Sequence, residues 1–307
     1  MSLPIIVVGS LNMDFVVQVR ELPRPGETVL GSAFATVPGG KGANQACAAS
    51  KLGGKVQMVG RVGDDALGRE LRESLAAVGV DTTAVLATEG TPSGVALIAV
   101  EAGGQNQIVV ASGANGLLTP ADVAHALGGT TGSLLLLQLE SPPETIERAV
   151  ALGKERGMTV LLDPAPARQL PLALLSGVSC LTPNESEAMT LLERPGEAIA
   201  LAHAPEVARA LLARGPRAVI LKLGEHGAFL DDGTGAARHF PALKVDAVDS
   251  TAAGDTFNGA LAAALAEGRS LPEAIPFANA AAALSVTRRG AQSSIPTRAE
   301  VDAFVAR

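Results

Sequence analysis

One stretch has the residue types and spacing for chemistry: Asp249-Ser-Thr-Ala-Ala-Gly-Asp255-Thr-Phe-Asn-Gly-Ala-Leu-Ala-Ala-Ala-Leu-Ala266. Residues 251–254 carry almost no side-chain bulk, and from Thr256 to Ala266 the composition is strongly helix-forming, closed by Gly268. A helix is therefore expected to begin near Gly254. Its first N–H groups have no intrahelical partner and sit at the positive end of the macrodipole, so small residues there let an anion rest on bare backbone. Asp255 falls in the first turn, where a carboxylate stays ionised at neutral pH. An ionised Asp beside an anion cradle suits a base that activates a hydroxyl for phosphoryl transfer. The same residue would also serve as a plain helix cap.

These residues need a scaffold, and the chain alternates strands with helices. Pro4–Val8 is a short apolar run ended by Gly9-Ser10, as a central buried strand requires. Residues 39–52 pass from a glycine loop into an Ala-rich helix stopped by Gly53-Gly54, residues 56–59 read as a strand, and residues 67–78 as a helix ended by Gly79. Further on, helices are expected at 120–127, 142–156, 185–192 and 204–213, and strands at 133–139, 159–162, 178–181 and 218–223. Residues 229–230 and 239–240 form an antiparallel edge, and helices follow at 254–267, 272–284 and 297–306. Such alternation indicates a mainly parallel, doubly wound α/β sheet flanked by helices.

Two zones break the pattern. Phe15–Val19 and Thr28–Phe34 read as extended chain around Leu22-Pro-Arg-Pro-Gly26, and residues 95–100 and 107–111 flank residues 101–104 as a hairpin. Two helix-poor insertions suggest a small β-sheet lid over residues 12–38 and 92–114, with 1–11, 39–91 and 115–307 forming the α/β body.

Composition narrows the function classes. The 307 residues are 47% hydrophobic, and 31 acids against 24 bases give a formal charge of −7. No run of basic residues exceeds two, which argues against a nucleic-acid surface. No apolar run approaches the ~20 residues of a membrane span, and no charged n-region precedes Pro4, so a soluble cytoplasmic protein is expected. Cys47 and Cys180 lack CxxC spacing, and the four histidines are scattered without metal-ligand spacing. Gly40-Lys41-Gly42 has Gly where a P-loop requires Ser or Thr, and neither a dinucleotide fingerprint nor a nucleophile elbow is present.

Four separated stretches resemble the ribokinase family of carbohydrate kinases: Gly9-Ser-Leu-Asn12-Met-Asp14, Gly39-Gly-Lys-Gly-Ala-Asn44-Gln-Ala, Thr182-Pro-Asn184-Glu-Ser-Glu187, and Asp249 to Gly259. The resemblance runs essentially end to end and implies transfer of the ATP γ-phosphoryl group to the 5-hydroxyl of ribose. It implies Asp255 as catalytic base, with the backbone N–H groups of Ala252, Ala253 and Gly254 as anion hole. It places Asn12, Asp14, Gly40, Lys41, Asn44 and Glu140 around the sugar hydroxyls. Asn184 and Glu187 would organise magnesium through water, and Lys222, Gly224, Gly227 and Asn279 would lie along ATP, with Lys222 standing where a Thr is familiar. A monovalent cation, usually potassium, would take Asp249, Thr251, Ser285, Arg288, Gly290 and Ser294. Members often pair as homodimers through their lids, for which the exposed apolar alternation expected in Phe15–Val19 is suited. Rival readings are a sibling kinase for deoxyribose, another sugar or a nucleoside, and a sugar- or nucleotide-binding regulator without turnover.

Overall fold

The apolar run Pro4–Val8 forms β1, and its alternation sets the plan of the body. Ile5 and Val7 face one helical layer while Ile6 and Val8 face the other, so the strand is buried on both sides. The structure, a computed structural model, describes residues 2–101, 103 and 105–306.

From β1 the chain enters a small sheet as β2 (Asn12–Val19) and β3 (Ala33–Gly39). It returns through α1 (Lys41–Lys51), β4 (Lys55–Gly63), α2 (Ala66–Ala77) and β5 (Asp81–Thr88), then re-enters the small sheet as β6 (Gly94–Glu101) and β7 (Asn106–Ala111). The alternating part follows with α3 (Pro120–Leu127), β8 (Leu134–Leu137), α4 (Pro143–Glu155), β9 (Thr159–Leu162), α5 (Leu172–Leu175), β10 (Cys180–Leu181), α6 (Glu185–Leu191), α7 (Ala204–Leu212) and β11 (Val219–Lys222). Two strands, β12 (Ala228–Asp231) and β13 (Arg238–Phe240), precede the closing helices α8 (Ala253–Ala266), α9 (Leu271–Ser285) and α10 (Arg298–Val305).

The nine-stranded sheet has the order β13-β12-β11-β10-β9-β8-β1-β4-β5, with every strand parallel except β12, which runs antiparallel to both its neighbours. One layer packs α1, α2, α8 and α9 on the sheet, and the other packs α3, α4, α6 and α7. Strand β1 leads outward to β4 on one side, whereas β8 lies on its other side. The order therefore reverses between β1 and β8, and a crevice opens outside their carboxyl ends. The four-stranded lid, β3-β2-β6-β7, joins the body at this crevice. No helix among the described residues is long and apolar enough to cross a membrane.

Two expectations are corrected, and one strand was not foreseen. Thr28–Gly31 has no strand partner; β3 begins at Ala33 because β2 sets the register, pairing Gln18 with Ala33 and Asn12 with Gly39. Strand β5 escaped the sequence reading because it is a half-exposed edge that starts Asp81-Thr-Thr rather than with an apolar run. Phe15, Val16 and Val17 are half-buried and Val19 is buried, so the exposed apolar residues of the lid are instead Leu30, Phe34, Leu97 and Ile108–Val110. The expected turn over residues 101–104 falls partly outside the described residues; the strands flanking it pair as a hairpin.

Helix α8 lies against α1 through Gly259, where an added Cβ would stand 2.5 Å from Ala48 Cβ and 2.7 Å from the Gln45 carbonyl. That contact allows no side chain without separating the helices. Gly259→Ala should lower stability by about 1–3 kcal/mol in chemical denaturation, despite the better helix propensity of Ala.

Candidate active site

At the crevice, Ser10 follows β1, Glu140 lies just beyond β8, and Lys41 begins α1. Ser10 Oγ donates to Glu140 Oε2, which also accepts from the Lys41 backbone N–H at 3.1 Å. Gly40 makes this approach possible. Its φ is 89°, and a Cβ there would lie 2.7 Å from the Asn12 nitrogen. A cavity of ≈520 Å³ opens here, bordered by Ser10, Asn12, Val110, Asn115, Leu139 and Glu140. Glu140 is thus a cavity wall held by two donors rather than a plain strand-end cap.

Asp14 on β2 lies close enough to Glu140 and Asp255 to feel their charges. Burial, then the charges of Glu140 and Asp255, push its carboxyl up to about 7, while Lys41 opposes them. The Lys41 ammonium sits among carboxylates. Against the burial that would lower it, Asp255, Asp163, Glu140 and Glu187 hold it above its ordinary range, fully protonated. Ser10, Asn12, Asn115 and Glu140 at the cavity, with Asp14 and Lys41 close by, supply acceptors and donors that match the hydrogen-bonding needs of a polyol.

Beneath the cavity Asp255 is buried at the start of α8. Asn44 Nδ2 donates to its Oδ2 at 3.0 Å, and Gln45 Nε2 donates to its Oδ1 at 2.9 Å. Gln45 Nε2 also donates to Asp163 Oδ2 at 2.9 Å, and Gln138 Nε2 donates to Gln45 Oε1 at 2.6 Å. Burial pushes Asp255 up to about 6, with Asp163 adding to the shift, while Lys41, Asn44 and Gln45 pull it down. The expected helix-end stabilisation is therefore outweighed by desolvation, and the group remains mostly ionised at pH 7.

The turn before α8 has the unusual backbone. Ala252 adopts φ 58°, ψ 15°, a left-handed conformation that a non-glycine residue holds only when its surroundings enforce it. Ala253 N–H donates to the Ser250 carbonyl at 3.2 Å, closing a tight turn. Of the three amides expected to face an anion, Ala253 is thus already engaged. Those of Ala252 and Gly254 have no protein acceptor among the described residues.

Lys222, at the end of β11, reaches the same place. Its Nζ donates to Asp163 Oδ1 at 2.8 Å, lies 4.0 Å from Glu187 Oε2, and would be 3.4 Å from a Cβ on Gly254. Burial acts to lower its pKa, but Asp163 and Glu187 raise it. Asn184 and Glu187 form the capping box of α6: the Asn184 N–H and Nδ2 donate to Glu187 at 2.7 and 2.9 Å, and Glu187 N–H donates to Asn184 Oδ1 at 2.9 Å. Glu187 is raised by burial and lowered by Lys222. Its carboxylate keeps lone pairs beyond the cap, which suits holding a hydrated magnesium ion through water. Gly224 and Gly227, both at positive φ, bracket the turn after β11, and Asn279 Nδ2 donates to the Phe240 and Pro241 carbonyls at 3.2 and 3.4 Å.

The residues expected around a monovalent cation converge from two segments. Asp249 accepts from Thr251 N–H and Oγ1 at 2.9 and 2.6 Å and from Gly290 N–H at 2.9 Å. Against its burial, these bonds hold the carboxyl below its usual range. Val248 and Asp249 N–H both donate to the Val286 carbonyl, which ties this segment to the loop carrying Ser285, Arg288, Gly290 and Ser294. An ionised carboxylate where these two segments meet, with the carbonyls they carry, is a kind of donor set that would fit a large, weakly hydrated cation.

Gln45, Asp163, Gln138, Ser10 and Asn115 were missed by the sequence reading. Asp163-Pro164 directly follows the apolar strand β9, and an acid at the carboxyl end of a parallel strand was the available signal. Gln45, next to Asn44, had none.

Linkage gives a test of the buried acid. The folded pKa of Asp255, about 6, exceeds its ordinary 3.8, so the folded chain keeps a proton that the unfolded chain releases in this window. Its contribution to stability is present at low pH and lost as pH rises through about 6. Asp255→Asn should therefore melt a few degrees higher than the parent at pH 7.5, and the difference should shrink below about pH 6 and close only near the ordinary value of 3.8. Asn44 can turn its unpartnered Oδ1 to the new amide. A parent more stable than the variant at pH 7.5 would contradict the assignment.

Comparison with known proteins finds relatives along the whole chain. A profile described as "pfkB family carbohydrate kinase" matches residues 3–298. The chain is 42% identical to a protein named ribokinase from Haemophilus influenzae over 97% of both, and 38% identical to a deoxyribokinase from Salmonella typhi over 95% of both. It superposes on Arabidopsis thaliana ribokinase complexed with ribose and ATP with a TM-score of 0.90 at 33% identity, covering both chains entirely. An end-to-end match of this kind, on an α/β body with a small lid sheet, means that the chain belongs to the pfkB family of carbohydrate kinases.

Proposed function

We propose that this protein transfers the γ-phosphoryl group of ATP to the 5-hydroxyl of D-ribose, giving ribose 5-phosphate and ADP. The observation that carries this reading is the buried Asp255 carboxylate at the open end of α8, held by two amides at 2.9–3.0 Å. In this reading Asn12, Asp14, Gly40, Lys41, Asn44 and Glu140 hold the sugar. The 5-hydroxyl proton passes to Asp255 as its oxygen bonds to the γ-phosphorus and the bond to the ADP oxygen breaks. The N–H groups of Ala252 and Gly254 receive the charge on the phosphoryl oxygens, and Ala253 joins them if its turn bond opens.

ATP lies in this proposal toward Lys222, Gly224, Gly227 and Asn279. Magnesium, when bound with ATP, neutralises phosphate charge, and Asn184 with Glu187 would hold its water shell. Potassium at the loop of Asp249, Thr251, Ser285, Arg288, Gly290 and Ser294 would brace the start of α8. Residues 12–38 and 92–114 act as the lid that excludes water. We take the protein as a cytoplasmic homodimer joined through the lids, supported by the exposed Phe34, Leu97, Ile108 and Val109.

A sugar panel in an ADP-release assay, with potassium and with sodium, tests the substrate. D-ribose should show the highest kcat/KM, and turnover should be greater in potassium. Equal or better efficiency on deoxyribose would move the assignment to the deoxyribokinase relative's activity.

Asp255→Ala should lower kcat by roughly 10²–10⁴-fold, the scale of a lost general base, while ribose still binds in calorimetry. In the parent enzyme, kcat/KM should fall as pH is lowered through about 6, where Asp255 takes up a proton. A flat profile down to pH 5 would remove Asp255 as base.

A further inference from the structure

The chain crosses between body and lid four times, and at three of these crossings, residues 11–12, 93–94 and 112–115, the side chain of Asn115 stands at the meeting point. It is 2% exposed and sits in the turn Gly113–Leu117 that follows β7. Asn115 Oδ1 accepts from Leu11 N–H at 2.9 Å, and Asn115 Nδ2 donates to the Leu11 carbonyl at 2.9 Å and to Asn12 Oδ1 at 2.8 Å. One side-chain amide thus satisfies both backbone groups of Leu11, as a neighbouring strand would, in the gap between β1 and β2. Gly94 leaves the space for it: a Cβ there would lie 2.2 Å from Asn115 Nδ2 and 2.3 Å from Asn12 Oδ1.

The orientation of this amide follows from chemistry. Leu11 N–H only donates, so Asn115 must present its oxygen to it and its nitrogen to Asn12. Asn12 must then turn its oxygen toward Asn115, leaving its Nδ2 for the cavity that it lines. Asn44 is set the opposite way. Its Nδ2 is spent on Asp255, and its Oδ1 is buried without a partner.

We propose that Asn115 is a positioning residue, which locks Asn12 as a hydrogen-bond donor toward the sugar and fastens the lid crossing at the same point. The proposal rests on the reading that a sugar occupies this cavity. A sugar hydroxyl facing Asn12 accepts from it and donates its own proton to a neighbouring carboxylate, Asp14 or Glu140. A sugar carrying only hydrogen at that position leaves the Asn12 amide buried and unpaired, which is how a site built to bond a hydroxyl rejects its deoxy analogue.

Asn115→Asp keeps an acceptor for Leu11 N–H but removes both donations, so Asn12 is free to turn its oxygen into the cavity. The Michaelis constant for the sugar, using whichever sugar the parent enzyme turns over best, should rise roughly tenfold or more, while that for ATP stays within about twofold. The double variant Asn12→Ala/Asn115→Asp should be no worse for the sugar than Asn12→Ala alone, because both act through one amide. Additive losses, equal rises in both Michaelis constants, or an unchanged sugar constant overturn the proposal. Asn12→Asp decides the matter if the Asn115 variant fails to fold. It still accepts from Asn115 Nδ2 yet offers the cavity no donor, so it should melt within a few degrees of the parent and lose sugar affinity by a similar factor; unchanged affinity overturns the proposal. Absence of parent turnover on every sugar would instead count against the kinase reading itself.

Discussion

A carboxylate withdrawn from water yet needed in its charged form is the constraint on which this structure turns. Asp255 meets it through two amides that can only donate toward it, Asn44 and Gln45, from adjacent positions on α1. Gln45 is itself oriented by Gln138 and shared with Asp163, whose other oxygen holds Lys222. The negative group at the helix start and the positive group beside it are therefore parts of one buried network. Such a network is stable only when its members are satisfied, and a carboxylate left alone at this depth would be driven to its neutral form.

The topology explains why these residues meet. Reversal of the strand order between β1 and β8 brings the turn after β1, the start of α1 and the residue beyond β8 to one crevice, while β9 and β11 deliver Asp163 and Lys222 to the same end of the sheet. Helix α8 closes the crevice from its own layer. The α8–α1 contact at Gly259 sets the distance at which Asp255 meets its two amides, so packing four residues along the helix is part of the site geometry.

Reading the sequence recovered the alternation of the body, because continuous apolar strands and glycine-stopped helices carry local signals. It also placed the start of α8 near Gly254, within one residue of Ala253, and recovered the existence of a lid. Strand β5 and the true span of β3 were not legible, since a half-exposed edge and a strand registered by its partner have no strong pattern of their own. Asn115 and Gln45 were likewise invisible: an amide side chain has the same appearance in sequence whether it faces solvent or pairs a backbone 104 residues away.

By itself, then, the order of amino acids determined most elements of the body and the places where backbone had to lie bare, Gly40 and residues 251–254, since propensity and steric bulk act between near neighbours. Tertiary structure alone decided which polar groups face one another. It turned the amide of Asn12 outward and that of Asn44 inward, lifted Asp255 to about 6, and engaged Ala253 in a turn. Those outcomes depend on desolvation and on partners far apart in the chain, and neither quantity exists until the sheet, helices and lid are assembled.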